Sequence, residues 1–282
     1  MGTAEPPPGS PWDLDLDHAP LAFLDLEMTG LDVARDRVVQ ICVERVVGGV
    51  TVDRIATLVD PQRPVAATHI HGIDDEMVKG APPFEALFER VLMLLDGACV
   101  VAHAARWDLA FLRGELSRVP VRGGAVGEHY LDTLTLARRL LGPGSHRLAR
   151  LATRFGLDNE RPHDAENDVR VTRAVFGHLL SEAKKVEPPG AYTLRWLWRL
   201  STGRRRADPT VLARAAEAVS RGVDVRVRYR AAGKGAKDLS MRLTEVRADL
   251  DPPLVLGYLL QSRGRRELRA DRILDLEIVS DR

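Results

Sequence analysis

One stretch constrains this chain more than any other: Leu21-Ala22-Phe23-Leu24-Asp25-Leu26-Glu27-Met28. Residues 21–26 form a short, nearly continuous apolar run, as in a central strand buried on both faces of a sheet. Asp25 and Glu27 stand two apart within it, so in a strand both carboxylates project from the same face. Two carboxylates on one face of an apolar strand must be exposed at an end or neutralised by a cation.

The residues around this strand predict an α/β layer fold. Arg37–Val47 and Val50–Val59 read as two strands of a hairpin turning at Gly48-Gly49. Pro83–Leu95 has helical spacing, Ala98–Ala102 reads as a second buried strand, and a helix follows from about Trp107 to Val119. Further helices fit Asp132–Leu141, His146–Phe155 and Asp164–Leu180. Asp108 follows the second buried strand and is placed to reach the edge where Asp25 and Glu27 stand. Asp168 lies in the last helix, five residues after His163. Pro162 sets His163 in the approach loop and Asp164 fits an N-cap, so His163 overhangs the site while Asp168 points into it.

Four hard oxygen ligands suit Mg²⁺ or Mn²⁺ rather than zinc. Two such ions about 3.5–4 Å apart clamp the attacking and leaving oxygens of a phosphodiester displacement. A histidine at the rim can take the proton from the attacking water. Taken singly, each Asp reads equally well as a helix cap or a surface residue.

At these positions the chain resembles the DEDDh 3′–5′ exonucleases, the DnaQ-like proofreading family. Asp25-Leu26-Glu27-Met28-Thr29-Gly30 resembles the first motif, Val101-Ala102-His103-Ala104-Ala105-Arg106-Trp107-Asp108 with Phe111-Leu112 the second, and His163-Asp164-Ala165-Glu166-Asn167-Asp168 the third. His71-Gly72-Ile73, Asp132-Thr133-Leu134 through Ala137-Arg138, and Leu148–Leu157 agree as secondary markers. The resemblance covers about residues 19–180. It implies an RNase H-like mixed sheet flanked by helices, with two divalent cations (Mg²⁺ or Mn²⁺) held by Asp25, Glu27, Asp108 and Asp168. It also implies His163 as general base, and Met28 and Thr29 against the terminal nucleotide through backbone and side chain respectively. His103 belongs to the second motif and is a candidate substrate contact, though it reads better as packing beneath the site. Ala104 and Trp107 depart from the Asn and Phe usual there, which touches substrate holding rather than metal binding. The first motif is also spelled as in oligoribonucleases, while the second motif and His71-Gly72-Ile73 favour the proofreading branch.

At 282 residues one large or two modest domains are expected. Residues 1–202 carry a net charge of −5 and residues 203–282 one of +6, an acidic part joined to a basic part. The expected division is a flexible tail at 1–17, the exonuclease domain at 18–185, a linker at 186–208 and a second domain at 209–282. In the last, a helix (Pro209–Ser220) precedes short β-like runs, which suggests a small barrel. Its sequence resembles a WYL domain, an Sm/SH3-like barrel that binds nucleic acid or nucleotide ligands, although Gly257 stands where the name-giving Trp belongs. The resemblance offers Arg228, Tyr258, Arg269 and Arg272 as ligand contacts. Trp196 and Trp198 suit packing between domains or stacking on bases. His18, His69, His129, His146 and His178 fit no metal-ligand spacing and read as structural or surface residues.

Cys42 and Cys99 are too few for a disulfide framework or a four-thiolate zinc site. No apolar run reaches the roughly 18 residues of a membrane span. The Pro-rich, acidic N-terminus fits neither a signal nor a transit peptide, so a soluble, cytoplasmic protein without membrane contact is expected. The expected activity is metal-dependent 3′–5′ release of nucleoside monophosphates from single-stranded DNA or RNA ends, DNA favoured, with a DNA polymerase or repair complex as a further partner. The other readings are an oligoribonuclease-like enzyme for short RNAs, a catalytically idle single-strand-binding module, and a ligand-sensing regulator.

Overall fold

The apolar run with its two carboxylates is a central strand, β1 (Leu21–Met28). The computed structural model describes residues 5–119, 126–186, 192–202, 207–231, 235–249 and 253–279, and the chain divides into two compact units, Met1–Thr202 and Gly203–Arg282. After β1 come β2 (Val38–Val47), β3 (Val50–Leu58), α1 (Thr68–His71), α2 (Phe84–Leu95), β4 (Cys99–Ala102) and α3 (Arg106–Arg118). Then follow β5 (Tyr130–Asp132), α4 (Thr133–Leu140), α5 (Leu148–Phe155), α6 (Ala165–Val186) and α7 (Leu194–Thr202). The sheet order is β3-β2-β1-β4-β5. β1 to β3 are antiparallel, turning at Gly48-Gly49 with positive φ at both, while β4 and β5 run parallel to β1.

Alternation along β1 divides the core in two. Leu21 and Phe23 pack with Cys42, Val101 and Phe176 beneath α6, while Ala22, Leu24 and Leu26 pack with Phe84 and Leu94 of α2 and Phe111 of α3. Both thiols are buried, and burial pushes Cys42 up to about 12, so it is inert at neutral pH. β4 pairs with β1 only from Leu21 to Phe23 among the described residues. The second half of β1 therefore outruns its parallel neighbour, and Asp25 and Glu27 stand at that opening.

Two segments differ from the expected tail and linker. From Glu5 the N-terminal segment packs on the first unit, with Trp12 and Leu16 buried. Leu16 N–H donates to Tyr192 O (2.9 Å) and Arg195 N–H to Trp12 O (2.8 Å). The expected linker includes α7, whose Leu194, Leu197 and Trp198 join the same core, and the His129 ring sits edge-on to both Trp12 and Trp198 at 5.9 Å. The Pro-rich, acidic composition masked these apolar anchors. Residues 187–190 and 203–206, expected as a break and a basic linker run, lie outside the described residues. β5 was not expected, because three residues show no periodicity.

In the second unit α8 (Pro209–Arg221) is capped by Asp208, which accepts from Thr210 N–H at 2.8 Å. It packs on an antiparallel sheet of β6 (Asp224–Arg230), β7 (Ala236–Arg247), β8 (Leu254–Leu259), β9 (Arg265–Arg269) and β10 (Ile273–Ile278), ordered β10-β6-β7-β8-β9. Gly257 lies opposite an irregularity in β7, and a Cβ there would run into the carbonyl of Arg242. The tryptophan of the WYL pattern therefore has no room at this position. No helix among the described residues is long and apolar enough to cross a membrane.

Trp12→Ala is expected to lower the unfolding free energy by about 3–5 kcal/mol in urea denaturation. An unchanged midpoint would mean the N-terminal segment contributes nothing to the core.

Candidate active site

The free side of β1 is closed by a carboxylate. Leu26 N–H donates to Asp108 Oδ1 at 3.1 Å, which brings the first turn of α3 to the strand's open edge. Two helical turns further on, buried Glu115 accepts from Arg37 Nε (2.8 Å) and Val38 N–H (3.0 Å), fixing α3 against the start of β2. The chain leaves β1 through a tight turn in which Thr29 Oγ1 donates to Asp36 (3.0 Å) and accepts from Arg37 N–H (3.1 Å). Gly30 is required here, since a Cβ would strike the Asp36 carboxylate.

Asp164 caps α6 as expected, accepting from Asn167 N–H at 2.9 Å, and Gln40 of β2 accepts from Ala165 N–H at 3.0 Å. Asn167 Nδ2 donates to Asn159 Oδ1 (2.6 Å), Arg161 O (2.9 Å) and Asp168 Oδ1 (3.3 Å), folding the approach loop around the helix start. His163, in the left-handed region at φ 63°, donates its backbone N–H to Asp168 Oδ2 at 3.2 Å. Its ring is exposed, and Glu27, His163 and Asp168 each present a ligand atom within 4.8 Å of the others. Asp25 and Asp108 line the same cavity of about 1090 Å³.

These carboxylates are hard to ionise together. Burial, then the neighbouring carboxylates, raises Asp25 well above the usual range and Glu27 to about 8. Burial lifts Asp108 to about 7 against the pull of the Leu26 N–H, and raises Asp168 against that of the His163 N–H. An oxygen-only set with this much suppressed negative charge fits hard divalent cations.

Two of the three expected substrate contacts stand differently. The Thr29 hydroxyl is taken up by Asp36 and does not line the cavity, while Met28 does. His103 lines it, but its Nδ1 meets Thr133 Oγ1 at 2.9 Å, and burial lowers it to about 4. His103 is therefore a neutral ring with one nitrogen tied to Thr133. Ala104 sits at φ 61° and donates its N–H to Asp132 Oδ1 (3.0 Å). Asn tolerates that conformation better than Ala. Trp107 is 38% exposed on the cavity wall under the Arg106 guanidinium, 4.9 Å from the ring centroid.

Sequence reasoning missed several wall residues. His71 appeared only as a marker, yet it lines the cavity, with Nδ1 accepting from Ile73 N–H (3.0 Å) and Nε2 facing Ala66 O (3.2 Å). Arg106, Arg138, His146 and Arg147 also line it. Arg106 stands within the second motif and Arg138 within the Asp132 marker without a role assigned to either, and His146 and Arg147 only precede the Leu148 marker.

In the second unit, Tyr258 is exposed in β8 in register between Arg242 of β7 and Arg265 of β9, neither of them anticipated. Arg228 is exposed on β6 and Arg272 is half-buried. Arg269 differs from its expected role as a free fork, since Nε and Nη2 bond buried Asp271 at 3.0 and 2.8 Å.

Because the folded site holds its carboxyls protonated above their unfolded pKa, the native chain binds more protons than the unfolded one between about pH 4 and 8. The metal-free protein should thus lose thermal stability as pH rises through that window. Glu27→Gln should flatten the loss, and Mn²⁺ should restore the melting temperature at pH 8 in the wild type. A flat pH profile for the metal-free wild type would contradict the electrostatic account.

The sequence model of the family described as Exonuclease matches residues 22–176. A PolC-type DNA polymerase III of Thermotoga petrophila is 33% identical over 177 residues, 62% of this chain and 13% of that one. The 3′–5′ exonuclease DinG of Bacillus subtilis is 33% identical over 184 residues, 63% and 19% respectively. The epsilon subunit of DNA polymerase III of Treponema pallidum is 31% identical over 180 residues, 60% and 80% respectively. The chain thus spans less than a fifth of the length of the PolC-type and DinG relatives. Escherichia coli exonuclease I, solved with a dT13 oligonucleotide, shares the fold at a TM-score of 0.54 and 17% identity, over 86% of this chain and 55% of that one. With the family model matching more than half of its length, the chain belongs to the exonuclease family.

Proposed function

We propose that the protein is a DEDDh-type, metal-dependent 3′–5′ exonuclease that hydrolyses the terminal phosphodiester of single-stranded nucleic acid, DNA in preference, to nucleoside monophosphates. The observation that carries this reading is the meeting of Asp25, Glu27, Asp108 and Asp168, from β1, α3 and α6, with His163 in one cavity. Asp25, Glu27, Asp108 and Asp168 would hold two divalent cations, Mg²⁺ or Mn²⁺. Bound there, the ions supply Lewis-acid polarisation of the phosphodiester and activation of water.

The chain's own groups do the rest. His163, exposed at the rim, accepts the proton of the attacking water, and its backbone N–H fixes the carboxylate beside it. Met28 borders the terminal nucleotide, and the Trp107 ring offers a face on which a base can stack. DNA is favoured because relatives at 31–33% identity carry DNA polymerase names. A polymerase or repair complex is the partner class this suggests, in a cytoplasmic setting.

We assign the second unit a grip on the same strand. Only Ala270–Arg272 join β9 to β10 at opposite edges of the sheet. Four Cα steps reach at most about 15 Å, whereas a flat sheet of five strands spans about 19 Å. The sheet must curl, which supports a small barrel of the Sm/SH3 kind. Tyr258 in register with Arg242, whose Nε is held by Asp224, and with Arg265 supports a stacking and phosphate-pairing face, for which Arg228 and Arg272 are further candidates. The steric block at Gly257 weighs against a WYL domain in the strict sense.

Labelled DNA and RNA oligomers of graded length, incubated with Mg²⁺ or Mn²⁺, test the activity. Monophosphate release from the 3′ end is expected, faster on DNA; cleavage confined to the shortest RNAs would favour the oligoribonuclease reading. Asp25→Ala should abolish hydrolysis while circular dichroism stays native, and retained turnover would defeat the assignment. Tyr258→Ala with Arg265→Ala should weaken binding of long single strands at least about fivefold; equal affinity would remove the second unit from the substrate path.

A further inference from the structure

The arginines of the first unit fall into two groups. Most are engaged, by carboxylates, carbonyls or other partners. Among the described residues, Arg138, Arg147, Arg150 and Arg154 have no side-chain partner, and all four are exposed. They are not scattered. Arg138 and Arg147 line the cavity that holds the carboxylates, while Arg147, Arg150 and Arg154 follow the i, i+3, i+7 spacing of one helical face along α5. Leu148, Leu151, Ala152 and Phe155 pack on the core, while the three arginines flank that apolar strip and are all exposed.

This face begins at the wall of the catalytic cavity, where His146 and Arg147, in the loop that leads into α5, line the same space as the carboxylates. The loop also keeps a group in reserve, because His146 Nε2 is buried without a hydrogen-bond partner. Such orphaned groups call for an explanation, a missing ligand among them.

A single strand entering a pocket of four carboxylates is a polyanion approaching negative charge. Cations at the centre answer for the scissile phosphate alone, and phosphates further along the strand need separate counter-charges. Unpaired guanidinium groups suit them, because the planar fork pairs two oxygens at once and is weakly hydrated. From Arg147 to Arg154 the helix rises about 10 Å, enough for more than one phosphate.

We infer that Arg138, Arg147, Arg150 and Arg154 form a phosphate track that receives the backbone of the single strand 5′ of the scissile bond and leads it out of the cavity along α5. This rests on the nuclease reading of the same cavity. It places a strand grip on the first unit itself, separate from the sheet face of the second.

The test uses the full chain with Arg150→Glu/Arg154→Glu, and Arg150→Lys/Arg154→Lys as the charge-conserving control. Two substrates are compared: a 12-nucleotide DNA strand, and the 4-nitrophenyl ester of thymidine 5′-monophosphate, which has one phosphate and cannot extend to α5. In the Glu variant the ratio of kcat/KM on the strand to that on the ester should fall about tenfold, and the Lys variant should recover most of it. Binding of the labelled strand in Ca²⁺, followed by anisotropy, should show a log Kd against log salt slope shallower by about 1.4, two contacts' worth. An unchanged ratio and slope, with the wild type cleaving both substrates, would overturn the track and leave these arginines to an acidic protein partner. Wild-type protein that cleaves neither substrate would overturn the nuclease reading itself, and the track with it.

Discussion

Four carboxylates crowded at the edge of a sheet repel one another and resent losing water, and the first unit is organised around making that tolerable. β1 outruns β4, so Asp25 and Glu27 emerge where no strand covers them. Asp108 enters from α3 by accepting the Leu26 amide of β1, and Asp168 enters in the first turn of α6, where helix N–H groups favour negative charge. Asp25 and Glu27 are carried by the β1 ladder, Asp108 by its bond to the Leu26 amide, and Asp168 by the first turn of α6. Burial, with the neighbouring carboxylates adding to it, raises Glu27 and Asp108, and bound cations would relieve both penalties.

Around this acidic centre the charges are sorted. Arg37 and Glu115 neutralise each other within the core and hold α3 in place. The unpaired arginines lie instead on the outer wall and along α5, where a polyanion would pass. Sorting of this kind would let one small unit hold divalent cations at its centre and a nucleic-acid backbone at its margin without either charge cancelling the other.

Much of this was legible in the sequence because it is local. A nearly continuous apolar run placed β1, Gly48-Gly49 placed the hairpin, and the two-residue spacing put Asp25 and Glu27 on one face. The N-cap at Asp164 followed from Pro162 and the helix after it. What escaped was decided by contacts between distant segments. Trp12 and Leu16 sit in an acidic, Pro-rich stretch, and nothing nearby reveals that α7 is there to bury them. Thr29 looks available until Asp36, seven residues on, takes its hydroxyl. Arg269 looks like a free fork until Asp271 fills it.

The central claim is that the carboxylate cluster is a divalent-cation site whose protonation is displaced by the ions. Isothermal titration of the metal-free protein with Mn²⁺ at pH 7.5, repeated in buffers of different ionisation enthalpy, reads both stoichiometry and proton release. The account predicts saturable uptake of two ions per chain with net release of protons, both lost in Asp25→Asn. Saturable binding without proton release, or no binding at all, would contradict it.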